Sequence, residues 1–226
     1  MAGHFEATGD GGAAIVLDEV EISILRSLAV QLLELIGPGE EPADGADDPL
    51  SALLTDGPSE PPSDPALARL FPDAYGDGPD SVPGEEDAEE RRASAEFRRF
   101  TENDLRARKR EDLLAVVRAL DSLTPDPSPA ASGSGVGSTR RGRGKSHQGS
   151  EGSAGAVLTL KPEESKQWLG ALNDLRLAIG TRLEVTDDED SNELYALPDE
   201  DPRKPMVMAY LWLGGLQETL VETLLP

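Results

Sequence analysis

The stretch TRRGRGKSHQGS, Thr139 to Ser150, closes its basic half with Gly144-Lys145-Ser146, the last residues of a phosphate-binding loop. Such a loop needs Gly-x-x-x-x-Gly-Lys-Ser/Thr, because its first glycine starts a tight turn whose N–H groups surround the phosphates. Thr139 stands where that glycine is required. The motif must also leave a buried strand and enter a helix, yet this one runs from PSPAASGSGVGS into HQGSEGSAG. Nothing there would aim Lys145, and a solvated linker is the expected role. Arg140, Arg141, Arg143 and Lys145 could neutralise about four phosphates of a nucleic acid, but no aromatic is interleaved to stack on bases.

A second candidate is TDDEDSNELYALPDED, where Asp188, Asp190 and Asn192 sit at the first three ligand positions of a calcium loop and Asp199 at the twelfth. Position six, which needs glycine for its sharp turn, is Glu193, and Asp replaces the long bidentate Glu. An exposed acidic turn is the expectation, with no metal and no cofactor. Catalysis has little to draw on. His4 and His147 fall in a tail and a linker, where neither is fixed as a general base. There are no cysteines, which excludes thiol nucleophiles, disulfides and thiolate metal sites within this chain. The chain is not expected to be an enzyme.

A basic surface in an ordered region is the stronger signal. Nine of the 21 basic residues lie between Arg91 and Arg118. Arg92, Arg98, Arg99, Arg106, Arg108, Lys109 and Arg110 are the candidate face for a partner or for DNA. Phe97, Phe100 and Leu105 are expected to turn inward, and neighbouring acids could neutralise the arginines instead. Trp168, Tyr210 and Trp212 mark a candidate pocket, with ordinary core packing as the alternative. Asp174, Arg176 and Arg182 on the Trp168 helix suggest a buried or interfacial ion-pair network.

The elements that must position these groups are mostly helical. Ala14–Leu17 predicts a short strand. Asp18 with Glu21 forms a capping box at the start of a helix, which Gly37-Pro38 stops. Asp64 and Pro65 open a short helix to Phe71. A helical region from Arg91 is expected to break at Phe100-Thr101, since Thr101-x-x-Asp104 is itself a capping box. The segment 155–180 echoes 12–37, with seven of 26 positions identical in a gapless alignment, so two strands are expected to pair into a ribbon, each leading into a core helix. The last helix, from MVMAYLWLGGL onward, is apolar nearly all round and is expected at the centre of a bundle.

The predicted fold is therefore mainly α: a compact helical domain with a small two-stranded β-ribbon and long disordered acidic and Gly/Ser-rich insertions. One domain over 1–226 would be built from 12–37, 64–75, 91–124 and 155–226, with 38–63, 76–90 and 125–154 as loops or linker. Hydrophobic residues at 37% and aromatics at 4% fit a modest core beside much unstructured chain. The net charge of -23 repels polyanions at long range unless basic residues are segregated. The first residues have neither the basic start nor the apolar core of a signal peptide. The longest apolar run is too short for a membrane span, so cytoplasm is expected, with no membrane contact.

FPDAY, EFRRFTENDLRARKRE, WLGALNDLRLAIGTRLEV and LPDEDPRKPMVMAYLWLGGLQETLV together resemble an actinobacterial domain-of-unknown-function family that includes AosR-type oxidative-stress transcriptional regulators. The resemblance covers about two thirds of the chain. It implies a cytoplasmic, mostly helical protein acting in transcription control, with RNA polymerase or a sigma factor as partner and promoter DNA as a further possible contact. Regulators of this type sense oxidants through cysteines, and a chain without cysteine cannot share that mechanism. The sequence points to regulation by protein–protein contact. The alternative is a non-catalytic helical domain that binds a small molecule or peptide and has no role on DNA. A homodimer is compatible with either.

Overall fold

Alternating burial sets the sheet. Ala13, Ile15 and Leu17 point into the core while Val16 faces out, and Leu158 and Leu160 do the same on the partner strand, the two-residue period of a half-buried strand. In the computed structural model, which describes residues 3–38, 57–75, 86–123, 155–185 and 197–225, β2 (Ala13–Leu17) pairs antiparallel with β3 (Ala156–Leu160). The register places Ile15 opposite Leu158 and Ala13 opposite Leu160. A further strand, β1 (Glu6–Ala7), pairs with β2 to give three strands in the order β1-β2-β3. The expected ribbon was two-stranded, and β1 lies in a stretch with no hydrophobic alternation to announce it.

Each long strand leads into a helix. α1 (Glu19–Ile36) starts at Asp18, whose Oδ1 accepts from the Glu21 N–H at 2.8 Å while Glu21 Oε2 accepts from the Asp18 N–H at 2.9 Å. Gly37 ends it at φ 74°, a left-handed conformation that glycine tolerates without strain. α4 (Pro162–Arg182) follows β3 in the same way, with Glu164 Oε2 accepting from the Lys161 N–H at 2.8 Å. Gly180 does not stop this helix as the echo suggested; a Cβ there would lie 3.1 Å from the Tyr210 ring, so the glycine admits a neighbouring helix.

α2 (Pro65–Leu70) is capped by Asp64, whose Oδ1 accepts from the N–H groups of Ala66 and Leu67. α3 (Glu86–Leu123) is a single helix of 38 residues. It starts before Arg91 and passes without interruption through Phe100-Thr101, where a break was expected. Thr101 Oγ1 donates to the Phe97 carbonyl at 2.8 Å instead of capping a new helix, a use of threonine compatible with a helix interior. Gly57, placed by the sequence in a disordered loop, donates its N–H to the Arg99 carbonyl at 2.7 Å.

α4 is the central element, packed against α1, α2, α3 and α5 (Lys204–Leu224). Its contacts with α5 run antiparallel: Gly180 meets Tyr210, Gly214 meets Arg176, and Asn173 meets Gln217. The last helix, expected at the centre, lies at the side. Val207, Leu213, Leu216 and Leu220 are buried, while Met206 and Met208 are exposed. Among the described residues no helix is long and apolar enough to cross a membrane. The insertion 125–154, with the Gly144-Lys145-Ser146 island, and the calcium-loop candidates Asp188, Asp190 and Asn192 lie outside the described residues.

Candidate functional site

The seven candidate basic residues on α3 divide into two groups. Arg98 is 4% exposed and donates through Nη1 and Nη2 to the Phe71 carbonyl, through Nη2 to Asp73 at 2.8 Å and through Nη1 to Glu102 at 2.5 Å. Glu102, 3% exposed, also accepts from Arg106 Nη2 at 2.7 Å. Arg106 lies over the Phe71 ring at 4.5 Å and donates to the Ile36 carbonyl. Arg110 donates to the carbonyls of Leu33 and Gly37. α1 has no basic residue in its last turn, and a helix end leaves unsatisfied carbonyls carrying partial negative charge. Two arginines of α3 supply what α1 lacks. Lys109 pairs with Asp174 of α4 at 2.6 Å. These four cations fasten α3 to α1, α2 and α4.

Arg92, Arg99 and Arg108 are exposed. Beside them stand aromatics that were expected to face the core: Phe97 is 48% exposed and Phe100 63%, and Leu105 is also outward. Tyr75, 52% exposed, meets Phe97 edge-on at 6.2 Å, and the Arg99 guanidinium lies over the Phe100 ring at 5.2 Å. The expectation failed because the inward stripe of α3 is filled by other residues. Ser94, Arg98 and Glu102, with Leu113, Val116 and Leu120 further along, are the buried positions, and polar side chains in that stripe disguise its phase.

A second feature lies between α1, α4 and α5: an apolar groove of about 860 Å³. Ile24, Leu28 and Leu32 form one wall, Leu175 and Ile179 the floor, and Met206, Met208 and Trp212 the other wall. This explains why the last helix is apolar all round, since the side turned from the core lines the groove. At one end Asp18 and Glu21 are committed to the α1 cap; at the other Arg182, exposed at the end of α4, makes no ion pair among the described residues. Trp212 Nε1 is buried and has no hydrogen-bond partner among the described residues.

Of the three aromatics singled out for a pocket, only Trp212 lines this groove. Trp168 is 1% exposed in the core, edge-on to Phe5 at 6.1 Å. Tyr210 packs on Gly180 and beneath the Arg176 guanidinium at 5.2 Å. The expected network of Asp174, Arg176 and Arg182 does not form. Asp174 binds Lys109, Arg176 Nη1 donates to Gln217 at 2.8 Å, and Arg182 points to the groove. Burial raises the Asp174 carboxyl above its ordinary range, against the opposing pull of Lys109. Asp112 is raised too, first by burial. His4 is exposed, 3.3 Å from Glu6. Among the described residues no three His, Cys, Asp or Glu side chains gather as metal ligands.

The chain is 28% identical over 213 residues to the oxidative stress regulator AosR of Mycobacterium tuberculosis (strain ATCC 25618 / H37Rv), covering 91% of this chain and 78% of that protein. The oxidative stress regulator AosR of Mycobacterium bovis (strain ATCC BAA-935 / AF2122/97) is similar over the same extent and at the same identity. No solved structure matches. The family model described as "Domain of unknown function (DUF2017)" matches residues 2–224, almost the whole chain, and the protein belongs to that family.

Proposed function

We propose that this protein is a cytoplasmic, non-catalytic regulator that acts by contact with the transcription machinery, RNA polymerase or a sigma factor, through the outer face of α3. The observation that carries this reading is the exposed cluster of Tyr75, Phe97 and Phe100 beside Arg92, Arg99 and Arg108. The chain has only nine Phe, Trp and Tyr residues in all, and three of them stand in water at one place. Aromatics and arginine are the residue types enriched at protein interfaces, and exposed apolar patches of this kind mark contact sites. The similarity to proteins named oxidative stress regulator supports a regulatory role. Direct grip on promoter DNA is the weaker part of the earlier expectation, because Arg98, Arg106, Lys109 and Arg110 are spent inside the fold and the chain carries -23 overall.

The test is a crosslinked pulldown from native cells with wild type and with Phe97→Ser/Phe100→Ser. Recovery of RNA polymerase or a sigma factor by wild type alone supports the reading. Charge reversal belongs at Arg92 and Arg108 rather than at Arg106, whose loss would disturb the end of α1. A pulldown without a transcription component, or one indifferent to both aromatics, refutes it.

A further inference from the structure

We infer that the groove between α1, α4 and α5 binds an amphipathic monocarboxylate, an acyl chain lying along the trough with its carboxylate on Arg182. The volume of about 860 Å³ falls in the range of about 300–1,000 Å³ typical of small-molecule pockets. Ile24, Leu28, Met206 and Met208 present apolar surface along its length, and Ile24, Met206 and Met208 stay exposed, so an aliphatic chain would remove from water what the fold leaves in it.

Polarity selects the head group. Asp18 and Glu21 are satisfied acceptors: Asp18 Oδ1 receives the Glu21 N–H, and Glu21 receives the N–H groups of Asp18 and Gly3. Gln31 donates to Ser27 at 3.0 Å. Among the described residues the Arg182 guanidinium, which lines the groove, has no ion-pair partner. Arg182 is the lone cation among the described lining residues. One guanidinium matches one carboxylate in a two-pronged pair, whereas a phosphate dianion would go half neutralised on a chain of net charge -23.

The direction of the ligand follows from the helices. Gly3 binds Glu21 and Phe5 binds Thr219, so the start of α1 lies by the far part of α5. Arg182 follows Gly180, which meets Tyr210 near the start of α5. The acidic pair and Arg182 therefore occupy opposite ends, and the carboxylate is drawn to one and repelled from the other. With Gly180 level with Tyr210 in an antiparallel pair, Arg182 and Trp212 are offset by roughly 6 Å along the axis at about 1.5 Å per residue. Trp212 thus lines the acyl chain about one helical turn below the head group.

The experiment titrates the full chain by calorimetry and tryptophan fluorescence with laurate, laurylamine and lauryl alcohol, each below its micelle concentration. The expected result is saturable laurate binding with a change in Trp212 emission, no binding of the amine, and the alcohol at least tenfold weaker. Arg182→Gln, at an exposed residue without an ion pair, should keep the fold by circular dichroism and weaken laurate about tenfold while leaving the alcohol unchanged. Trp212→Phe should abolish the fluorescence change, with Trp168 silent in the core. Equal binding of all three compounds, no saturable binding of laurate, or full laurate affinity in Arg182→Gln overturns the inference. The site lies on elements other than the α3 face, so its failure leaves the proposed partner contact standing.

Discussion

Glu102→Leu should be among the most damaging single changes in this protein. Glu102 is 3% exposed and holds Arg98 at 2.5 Å and Arg106 at 2.7 Å. Once it is gone, Arg98 at 4% exposure keeps only Asp73, itself half-exposed, and the Phe71 carbonyl. Breaking a buried pair by removing one partner costs about 3–5 kcal/mol, because the remaining charge stays desolvated. At about 2–4 °C per kcal/mol for a domain of roughly 150–250 residues, the midpoint should fall by about 6–20 °C. The same principle predicts a rescue. Arg98→Met in the Glu102→Leu background removes the stranded charge, and replacing a buried pair by apolar side chains is often neutral. The double variant should recover at least about 1 kcal/mol over the single one, less than full recovery because the Phe71 carbonyl loses its donors. Urea unfolding followed by circular dichroism at fixed salt measures both. A single-variant cost below about 1 kcal/mol, or a double variant no better than Glu102→Leu, would refute the view that this triad is buried and mutually dependent.

Other outcomes follow from the same contacts. Arg110→Met should cost about 1.5–3 kcal/mol, the worth of charged hydrogen bonds, and hydrogen exchange should quicken in the last turn of α1, seventy-odd residues away in sequence; a uniform change across the molecule would contradict the capping role. Asp18→Ala should cost about 1 kcal/mol by denaturant unfolding through loss of the capping box, and an unchanged midpoint would count against it. Burial raises the folded Asp112 carboxyl above its ordinary 3.8, so the native state holds an extra proton between 3.8 and that raised value. The resulting penalty is complete above the folded pKa and absent below the unfolded one. Wild type should therefore gain stability relative to Asp112→Asn as pH falls from neutral toward 4, and a flat difference across that range would refute it.

What could be read from the residues was what neighbours in sequence decide. The Asp18–Glu21 box, the Asp64 cap with Pro65, and the strand over Ala14–Leu17 depend on local spacing and alternation, and all three are present. α3 shows the opposite. Thr101-x-x-Asp104 is a valid start signal, yet the helix runs through it, because Glu102 joins Arg98 and Arg106 at i±4 and α1 and α2 hold the same face. Tertiary pairing outweighed a local signal. The arginine roles were illegible for the same reason: Arg106 and Arg110 bind carbonyls that identify no residue type and lie at the end of another helix. The aromatics singled out for a pocket lie on α4 and α5, two of the three helices that flank the groove. Which aromatic would line it was not legible, because the rotation of α5 is set by Gly180 receiving Tyr210, which leaves Trp212 on the open side.

The pairing of β2 with β3 brings together residues about 140 positions apart. During synthesis, at about 5–20 residues per second, the first hairpin leaves the ribosome some 7–28 s before its second partner strand exists. Throughout that interval β2 presents an unprotected edge, and Ala13, Ile15 and Leu17 await the helix that will cover them. Strand edges of this kind recruit other chains. The nascent protein is therefore most at risk of aggregation before residue 160 is made, and chaperone dependence should concentrate in that window rather than after release.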